Sequence, residues 1–114
     1  MSKENNLVPF TLKLAQRDHQ LVKLLCAQKK ELSFQYELLN EALVWACRRN
    51  SMLMPVASQR DGVYRSYYVS KGMVGECVED LCTSWNCNAT RAVHTALFHF
   101  LREHSSLVAS ALSE

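Results

Sequence analysis

The sequence has no hydrophobic run long enough to cross a lipid bilayer, and its first ten residues, MSKENNLVPF, contain no apolar leader segment. It has no C-x-x-C pair, and its five cysteines are an odd number. These absences favour reduced thiols over a disulfide framework and argue against a structural zinc site. We therefore expect a cytoplasmic protein without bound metal.

Catalytic motifs are missing as well. The sequence contains no glycine-rich phosphate loop, no nucleophile motif and no paired carboxylates, so we expect neither an enzyme nor a bound cofactor. Strong charge is also missing, because the formal net charge at pH 7 is only +2. Residues 1–51 hold eight Lys and Arg against five Asp and Glu, whereas residues 52–114 hold five against six. This mild basic bias permits an anionic partner without requiring one.

What the sequence does contain is a periodic pattern of apolar residues. Residues 8–14 alternate with period two, which predicts a strand. Its apolar face holds Val8, Phe10, Leu12 and Leu14, and its polar face holds Pro9, Thr11 and Lys13. Two amphipathic helices are predicted to follow, one around residues 21–26 and one around residues 38–46. The second is expected to end at Arg48 and Arg49, where cations suit a helix C-terminus.

The same pattern starts again after a linker rich in turn-forming residues, NSMLMPVASQRDG. VYRSYYVS predicts a second strand, KGMVGECVEDLC a third helix, and the stretch from the N-cap candidate Asn88 through HTALFHFLREH a fourth. The stripe beginning at Val22 recurs 56 positions later, and the later helices match at 54. The chain therefore reads as two copies, residues 7–50 and 64–105, joined by a linker, 51–63, and followed by a tail, 106–114.

One such copy is not expected to be stable by itself. A lone strand leaves its N–H and C=O groups without a ladder partner, and a unit of about 45 residues has little interior. Strand, helix, polar break and a capped helix with ELLNEAL or RAVHTAL resemble the ribbon-helix-helix family, the class of the Arc and MetJ repressors. Two motifs in one chain resemble TraY-type conjugation proteins. The resemblance implies a mostly α fold with a short two-stranded antiparallel ribbon, in which two ribbon-helix-helix repeats intertwine as an intramolecular pseudo-dimer within one domain, residues 1–114.

The function implied by this resemblance is sequence-specific binding of double-stranded DNA, with the β-ribbon in the major groove. A bacterial, phage or plasmid-encoded transcriptional repressor is the first expectation. An accessory protein of conjugative transfer, bound near an origin of transfer, is the alternative that the tandem arrangement favours. A third interpretation is an antitoxin-like protein-interaction module that keeps the fold without groove chemistry, and the weak charge and Pro9 leave it open.

The resemblance also implies that outward side chains of the two strands read bases. In the first strand these are Thr11 and Lys13. In the second strand two registers are open, because a slip of one residue exchanges the faces. Counting back from the helical stripe puts Arg65, Tyr67 and Val69 outward, whereas hydrophobicity alone buries Tyr67 and Val69. We adopt the first register, with Arg65 as the best candidate for a guanine contact; a half-buried edge strand without DNA contacts is the simpler alternative.

Phosphate contacts are implied at the N-terminus of each second helix, where free N–H groups favour anions. The candidates are Ser33, Gln35, Lys29 and Lys30 in the first copy and Asn88, Thr90 and Arg91 in the second. Ordinary capping explains Ser33 and Asn88 equally well, and the two roles can coexist, whereas Lys29 and Lys30 need no explanation beyond a solvated helix end. Val44 and Phe98 occupy matching positions in the copies and are candidates for self-association on DNA, with a thick core as the alternative.

Overall fold

The computed structural model describes residues 7–28, 35–56 and 61–113, with side chains in 7–27, 36–56 and 61–104. The elements are β1 (Leu7–Leu14), α1 (Gln16–Gln28), α2 (Gln35–Cys47), a 3₁₀ turn (Asn50–Met52), β2 (Val63–Ser70), α3 (Lys71–Met73), a π-helical turn (Val74–Val78), α4 (Glu79–Trp85) and α5 (Ala89–Ser113). The predicted order of strand, helix and helix is therefore confirmed in both halves. α5 runs on to Ser113, past residue 105 where the second copy was expected to end. Among the described residues, no helix combines the length and hydropathy needed to span a bilayer.

The two strands form one antiparallel sheet, in which Thr11 lies opposite Ser66 and Leu12 opposite Arg65. Paired residues of an antiparallel ladder point to the same side of the sheet. Phe10, Leu12 and Leu14 are buried, whereas Thr11 is exposed, so the two faces predicted for β1 are confirmed. The inner face of β1 lies against the helices, and its outer face is left to solvent.

The register predicted for β2 is wrong. Tyr67 and Val69, expected to point outward, are only 4% and 0% exposed, whereas Tyr68, expected to point inward, is 47% exposed. Ser66 is exposed as well. Arg65 pairs with Leu12 and so belongs to the inner face of the ladder, although its side chain is exposed. Hydrophobicity alone, the alternative that was set aside, gives the correct faces.

The π-helical turn explains this error. Gln16 and Lys71, the first helical residues after the two strands, are 55 positions apart, whereas the buried residues Val22 and Val78 are 56 positions apart. A π turn closes i→i+5 hydrogen bonds and takes up one more residue than an α-helical turn. The turn at Val74–Val78 lies between the strand and the buried stripe of the second half. Counting back from that stripe therefore shifts β2 by one residue and exchanges its faces.

The core is built by α2 and α5, which cross between the two halves. α2 packs against β2 and α5, whereas α5 packs against β1 and α1. Each second helix thus covers the strand of the other half. The residues that do this are at most 1% exposed and recur at a spacing of 54: Leu38, Leu39, Ala42, Leu43 and Ala46 in α2, and Ala92, Val93, Ala96, Leu97 and Phe100 in α5. Their burial on several sides explains why α5 is apolar around most of its circumference.

Two buried polar contacts tie α1 to the rest of the core. The Nε2–H of His19 donates to the carbonyl of Val63 at 2.7 Å, so Nδ1 accepts from the hydroxyl of Tyr67. Burial raises the pKa of Tyr67 to about 12, which keeps that hydroxyl protonated as a donor. Asp18, which is 0% exposed, accepts hydrogen bonds from both terminal nitrogens of Arg102 at 2.7 and 3.3 Å. Neither contact was predicted from the sequence.

Removing the Tyr67 hydroxyl tests the register of β2. In Tyr67→Phe, Nδ1 of the buried His19 loses its donor, and we expect a loss of roughly 1–3 kcal/mol in the free energy of unfolding. Tyr68→Phe changes the neighbouring, half-exposed tyrosine and is the matched control, with an effect within about 0.5 kcal/mol. Urea denaturation at neutral pH measures both. The opposite ranking of the two variants would return β2 to the register that we reject.

Removing the cation beside Asp18 tests the contact between α1 and α5. In Arg102→Met, a fully buried carboxylate loses its partner, and the free energy of unfolding is expected to fall by roughly 3 kcal/mol. Glu103→Gln, at the exposed neighbouring position, is the control and should change little. Combining Arg102→Met with Asp18→Asn should recover part of the loss in a double-mutant cycle. Strictly additive losses would show that the two side chains act independently.

Candidate functional site

The outer face of the sheet carries hydroxyl groups and one ammonium group. Thr11 lies opposite Ser66 at its centre, and Lys13 lies opposite Tyr64 towards one end. The Nζ atom of Lys13 is 5.4 Å from the centroid of the Tyr64 ring, which is 65% exposed. At the other end, Pro9 lies opposite Tyr68. The face therefore offers several hydrogen-bond donors and acceptors in one plane, with its positive charge at one end only.

The N-terminus of α5 lies next to the charged end of this face. Asn88 caps the helix, because its Oδ1 accepts from the N–H of Arg91 at 2.8 Å and its carbonyl accepts from the N–H of Ala92 at 3.0 Å. The predicted N-cap is thus confirmed. Helix geometry leaves the N–H groups of Ala89 and Thr90 without an intrahelical acceptor. The start of α5 therefore presents donors and the positive end of the helix dipole.

A sharp turn brings α5 to this position. Asn86 ends α4 in the left-handed conformation, with φ 50° and ψ 56°. The N–H of Cys87 then donates to the carbonyl of Cys82 at 3.1 Å, which closes the end of α4. Only one residue separates Cys87 from the start of α5, so the connection between the two helices is short. Asparagine tolerates this conformation better than most residues, because its short polar side chain bonds locally.

A cavity of about 360 Å³ lies between the sheet and the start of α5. The residues around it that carry polar groups come from both strands and from α5: Thr11, Lys13, Tyr64, Asn88, Thr90 and Arg91. Three of the residues that the resemblance implied for DNA contact in the second half, Asn88, Thr90 and Arg91, thus surround one space together with Thr11 and Lys13 from the first half. Lys13 and Arg91 give this space a positive character.

His94 also lines this cavity and was not predicted as a site residue. It is 3% exposed, and within the described part of the chain neither ring nitrogen has a hydrogen-bond partner. Burial lowers the pKa of His94, and the nearby main chain of Lys13 and Val56 offsets only part of this effect. The feature of the sequence that could have identified His94 is that a titratable residue lies within an apolar stripe, between Val93 and Leu97.

The remaining predicted residues do not join this site. Tyr67 and Val69 are buried on the inner face of β2, so neither can contact a base. Arg65 is exposed but stands on the same side of the ladder as these two. Lys29, Lys30 and Ser33 lie outside the described residues. Gln35 is the first residue of α2, and its side chain also lies outside the described part.

Val44 and Phe98, the pair predicted for self-association, are both half-buried. The Phe98 ring stacks beside His94 with centroids 6.4 Å apart, and the guanidinium of Arg102 lies 4.3 Å from its centroid on the same helix. Phe98 is therefore engaged within the chain, which reduces the apolar surface that it offers to another molecule. Val44 packs against the core from α2.

A scan of protein-family models, a search of curated proteins and a search of solved structures each found no match to this chain. A functional interpretation therefore starts from the chemistry of the sheet's outer face and the adjoining cavity.

Replacing Asn88 tests whether its side chain caps α5 at the edge of the cavity. In Asn88→Ala, the N–H of Arg91 loses its acceptor, and we expect a loss of about 1 kcal/mol in the free energy of unfolding. Asn88→Ser keeps a capping oxygen and should retain most of the stability. Thermal denaturation followed by circular dichroism measures both variants. If Ser and Ala at position 88 proved equally destabilising, the capping role of Asn88 would be refuted.

Proposed function

We propose that this chain is a sequence-specific double-stranded DNA-binding protein of the ribbon-helix-helix type. In this proposal the β1–β2 sheet enters the major groove with its outer face towards the base edges. The observation that carries it is the position of the outer face beside the capped, positively polarised start of α5. The surface proposed to read the groove and the element proposed to bind phosphate therefore lie close to each other in the described chain.

The crossed packing of the helices supports a tandem pseudo-dimer. α2 from the first half covers β2, and α5 from the second half covers β1. Five pairs of apolar residues 54 positions apart in α2 and α5 have both members at most 1% exposed. This is the arrangement expected if two strand-helix-helix units exchange partners within one chain. It accounts for a stable unit in which each strand has a single β-neighbour.

The geometry of the sheet suits the major groove. That groove is about 12 Å wide and admits a two-stranded ribbon, whose alternate residues all point to one side. In the register observed, Lys13 is placed to donate to a guanine edge or a phosphate. Thr11 and Ser66 are placed at the centre, where a hydroxyl can bond to a base edge. Tyr64 and Tyr68 replace Tyr67 and Val69 as the base-reading candidates of β2.

The two ends of the ribbon differ, which predicts an asymmetric DNA site. Lys13 and Tyr64 occupy one end, whereas Pro9 and Tyr68 occupy the other. Pro9 lacks a donor, so hydrogen bonding at its end depends on Tyr68. We propose transcriptional regulation as the role, with an accessory function in conjugative transfer as the alternative that the tandem arrangement favours. The low net charge of +2 is the observation in favour of a protein-interaction module instead.

Selection from random duplex DNA, followed by fluorescence anisotropy on the selected site, tests the proposal. We expect a non-palindromic site and an affinity that falls with salt, with a slope of about −0.9 per phosphate contact in log K against log salt. Lys13→Ala should weaken binding by roughly 1–3 kcal/mol. Lys23→Ala removes the same charge from an exposed position of α1 and should leave binding nearly unchanged.

Three outcomes would contradict DNA binding through this face. Selection could enrich no sequence, binding could be independent of salt, or the Lys13 and Lys23 variants could lose affinity equally. Circular dichroism of each variant confirms that the fold is intact. Retained interaction with a protein partner in the absence of any DNA binding would favour the interaction-module alternative.

A further inference from the structure

The two second helices place different polar residues at matching positions, and within the described part of the chain only the one in α2 has hydrogen-bond partners. Asn40 in α2 and His94 in α5 are 54 positions apart, the same spacing as the buried residues around them. The Nδ2–H of Asn40 donates to Oγ of Ser70 at 2.7 Å, and its Oδ1 accepts from the N–H of Ser70 at 3.1 Å. Both polar atoms of the Asn40 side chain are thereby hydrogen-bonded to Ser70, the last residue of β2.

His94 lies beside the corresponding end of β1 but lacks such partners. Its ring is almost fully buried, and although the main chain of Lys13 and Val56 lies near it, neither nitrogen makes a hydrogen bond of normal geometry with a described residue. A buried polar group without a partner costs roughly 1–3 kcal/mol, so its presence calls for an explanation. The explanation lies next to it, because the ring lines the cavity between the sheet and α5. A ligand in that cavity would supply the missing partner.

The other groups around the cavity define the chemistry of that ligand. Lys13 from β1 and Arg91 from α5 are cationic side chains that line it. Thr11 and Thr90 add hydroxyl donors, and the start of α5 adds main-chain N–H groups and the positive end of its dipole. No carboxylate lies among the lining residues that are described. Several donors and two cations around one space match a tetrahedral oxyanion.

We propose that this cavity binds one phosphate-type oxyanion and that the imidazole of His94, at the inner wall, donates a hydrogen bond to it. The anion is either a phosphate of the DNA backbone or the phosphate of a free small molecule. In the first case the site rests on the proposed function and deepens it, by adding His94 to the phosphate contacts. In the second case it stands independently of DNA binding.

Binding at this site is linked to protonation of His94. Burial lowers the pKa of His94 when the cavity holds no anion. A bound anion favours the protonated imidazole and raises this pKa, so the anion is taken up together with a proton. Affinity therefore increases as pH falls through the pKa of the complex, and it levels off below the lower pKa of the free protein. The charged and titratable groups that face His94 are Lys13 on β1, Tyr64 on β2, Arg91 on α5 and, at longer range, Asp18 on α1.

Histidine NMR on the full chain tests the proposal directly. The side chain of each of the four histidines is titrated between about pH 5 and 8, with and without inorganic phosphate, and then with sulfate. Sulfate keeps a constant charge over this range, so any pH dependence of its binding reports on the protein. We expect both anions to raise the pKa of His94 selectively, while His19, His99 and His104 serve as internal references.

The variant His94→Asn introduces at position 94 the residue type found at the matching position 40, and it is the matched test. It removes the titrating group while keeping a polar side chain of smaller size. In the wild type, sulfate affinity is expected to change by up to about tenfold per pH unit in the linked window, the limit for uptake of one proton. In His94→Asn that dependence should disappear. His104→Asn, further along the same helix, should retain it.

A competition experiment with duplex DNA separates the two sources of the anion. If the selected duplex displaces phosphate from the His94 site, the ligand is a phosphate of the DNA backbone. If phosphate raises the pKa of His94 but the duplex does not bind, the site is one for a free phosphorylated molecule and the DNA proposal fails alone. If neither anion moves the pKa of His94 at millimolar concentration, the oxyanion site is refuted, whether or not the duplex binds.

Discussion

The structure depends on the pairing of β1 with β2. Each strand has the other as its only β-neighbour in the described chain, and the ladder also brings Leu12 and Leu14 to the same side as Val69. That apolar face has to be covered from below, and each strand is covered by the second helix of the other half. Folding of either half is therefore coupled to folding of the other. The outer face, with Thr11 opposite Ser66, exists only as a consequence of this pairing.

Polar contacts beneath the sheet select one register among those that the backbone allows. A slip of one residue would leave the ladder intact but would exchange buried and exposed side chains. The observed register gives His19 the hydroxyl of Tyr67 and gives Asn40 both polar groups of Ser70. Because an unpaired buried polar group costs more than a typical hydrogen bond contributes, these contacts discriminate strongly against the slipped register.

The parts of the fold that local periodicity determines could be predicted from the sequence, whereas the parts that depend on contacts between distant residues could not. The alternation around Leu12 gave the faces of β1 correctly, and Asn88 was identified as a cap from its residue type and position. The alternation within β2 also indicates its faces correctly, but counting back from the helical stripe does not, because the π turn at Val74–Val78 adds one residue to that count. The contact between Asp18 and Arg102 spans 84 positions, and only the folded chain brings these two together. Lys13 and Arg91, two surface residues of the candidate site, were therefore predicted from the sequence, whereas the buried His94 was not.

The difference between Asn40 and His94 makes the two ends of the sheet unlike each other. A carboxamide carries a donor and an acceptor on one short side chain, so Asn40 can satisfy the N–H and the hydroxyl of Ser70 together and close its end of the sheet. An imidazole is larger, and its two nitrogens point in different directions, so it cannot make the same pair of contacts with one residue. The end of the sheet next to His94 borders the cavity, and it is also the end that carries Lys13. A chain with two equivalent ends would treat both halves of a ligand alike. Here Asn40 bonds to the end of β2, whereas the end beside His94 carries Lys13 and borders a cavity, so the two ends of the sheet offer different chemistry to anything that lies along the outer face.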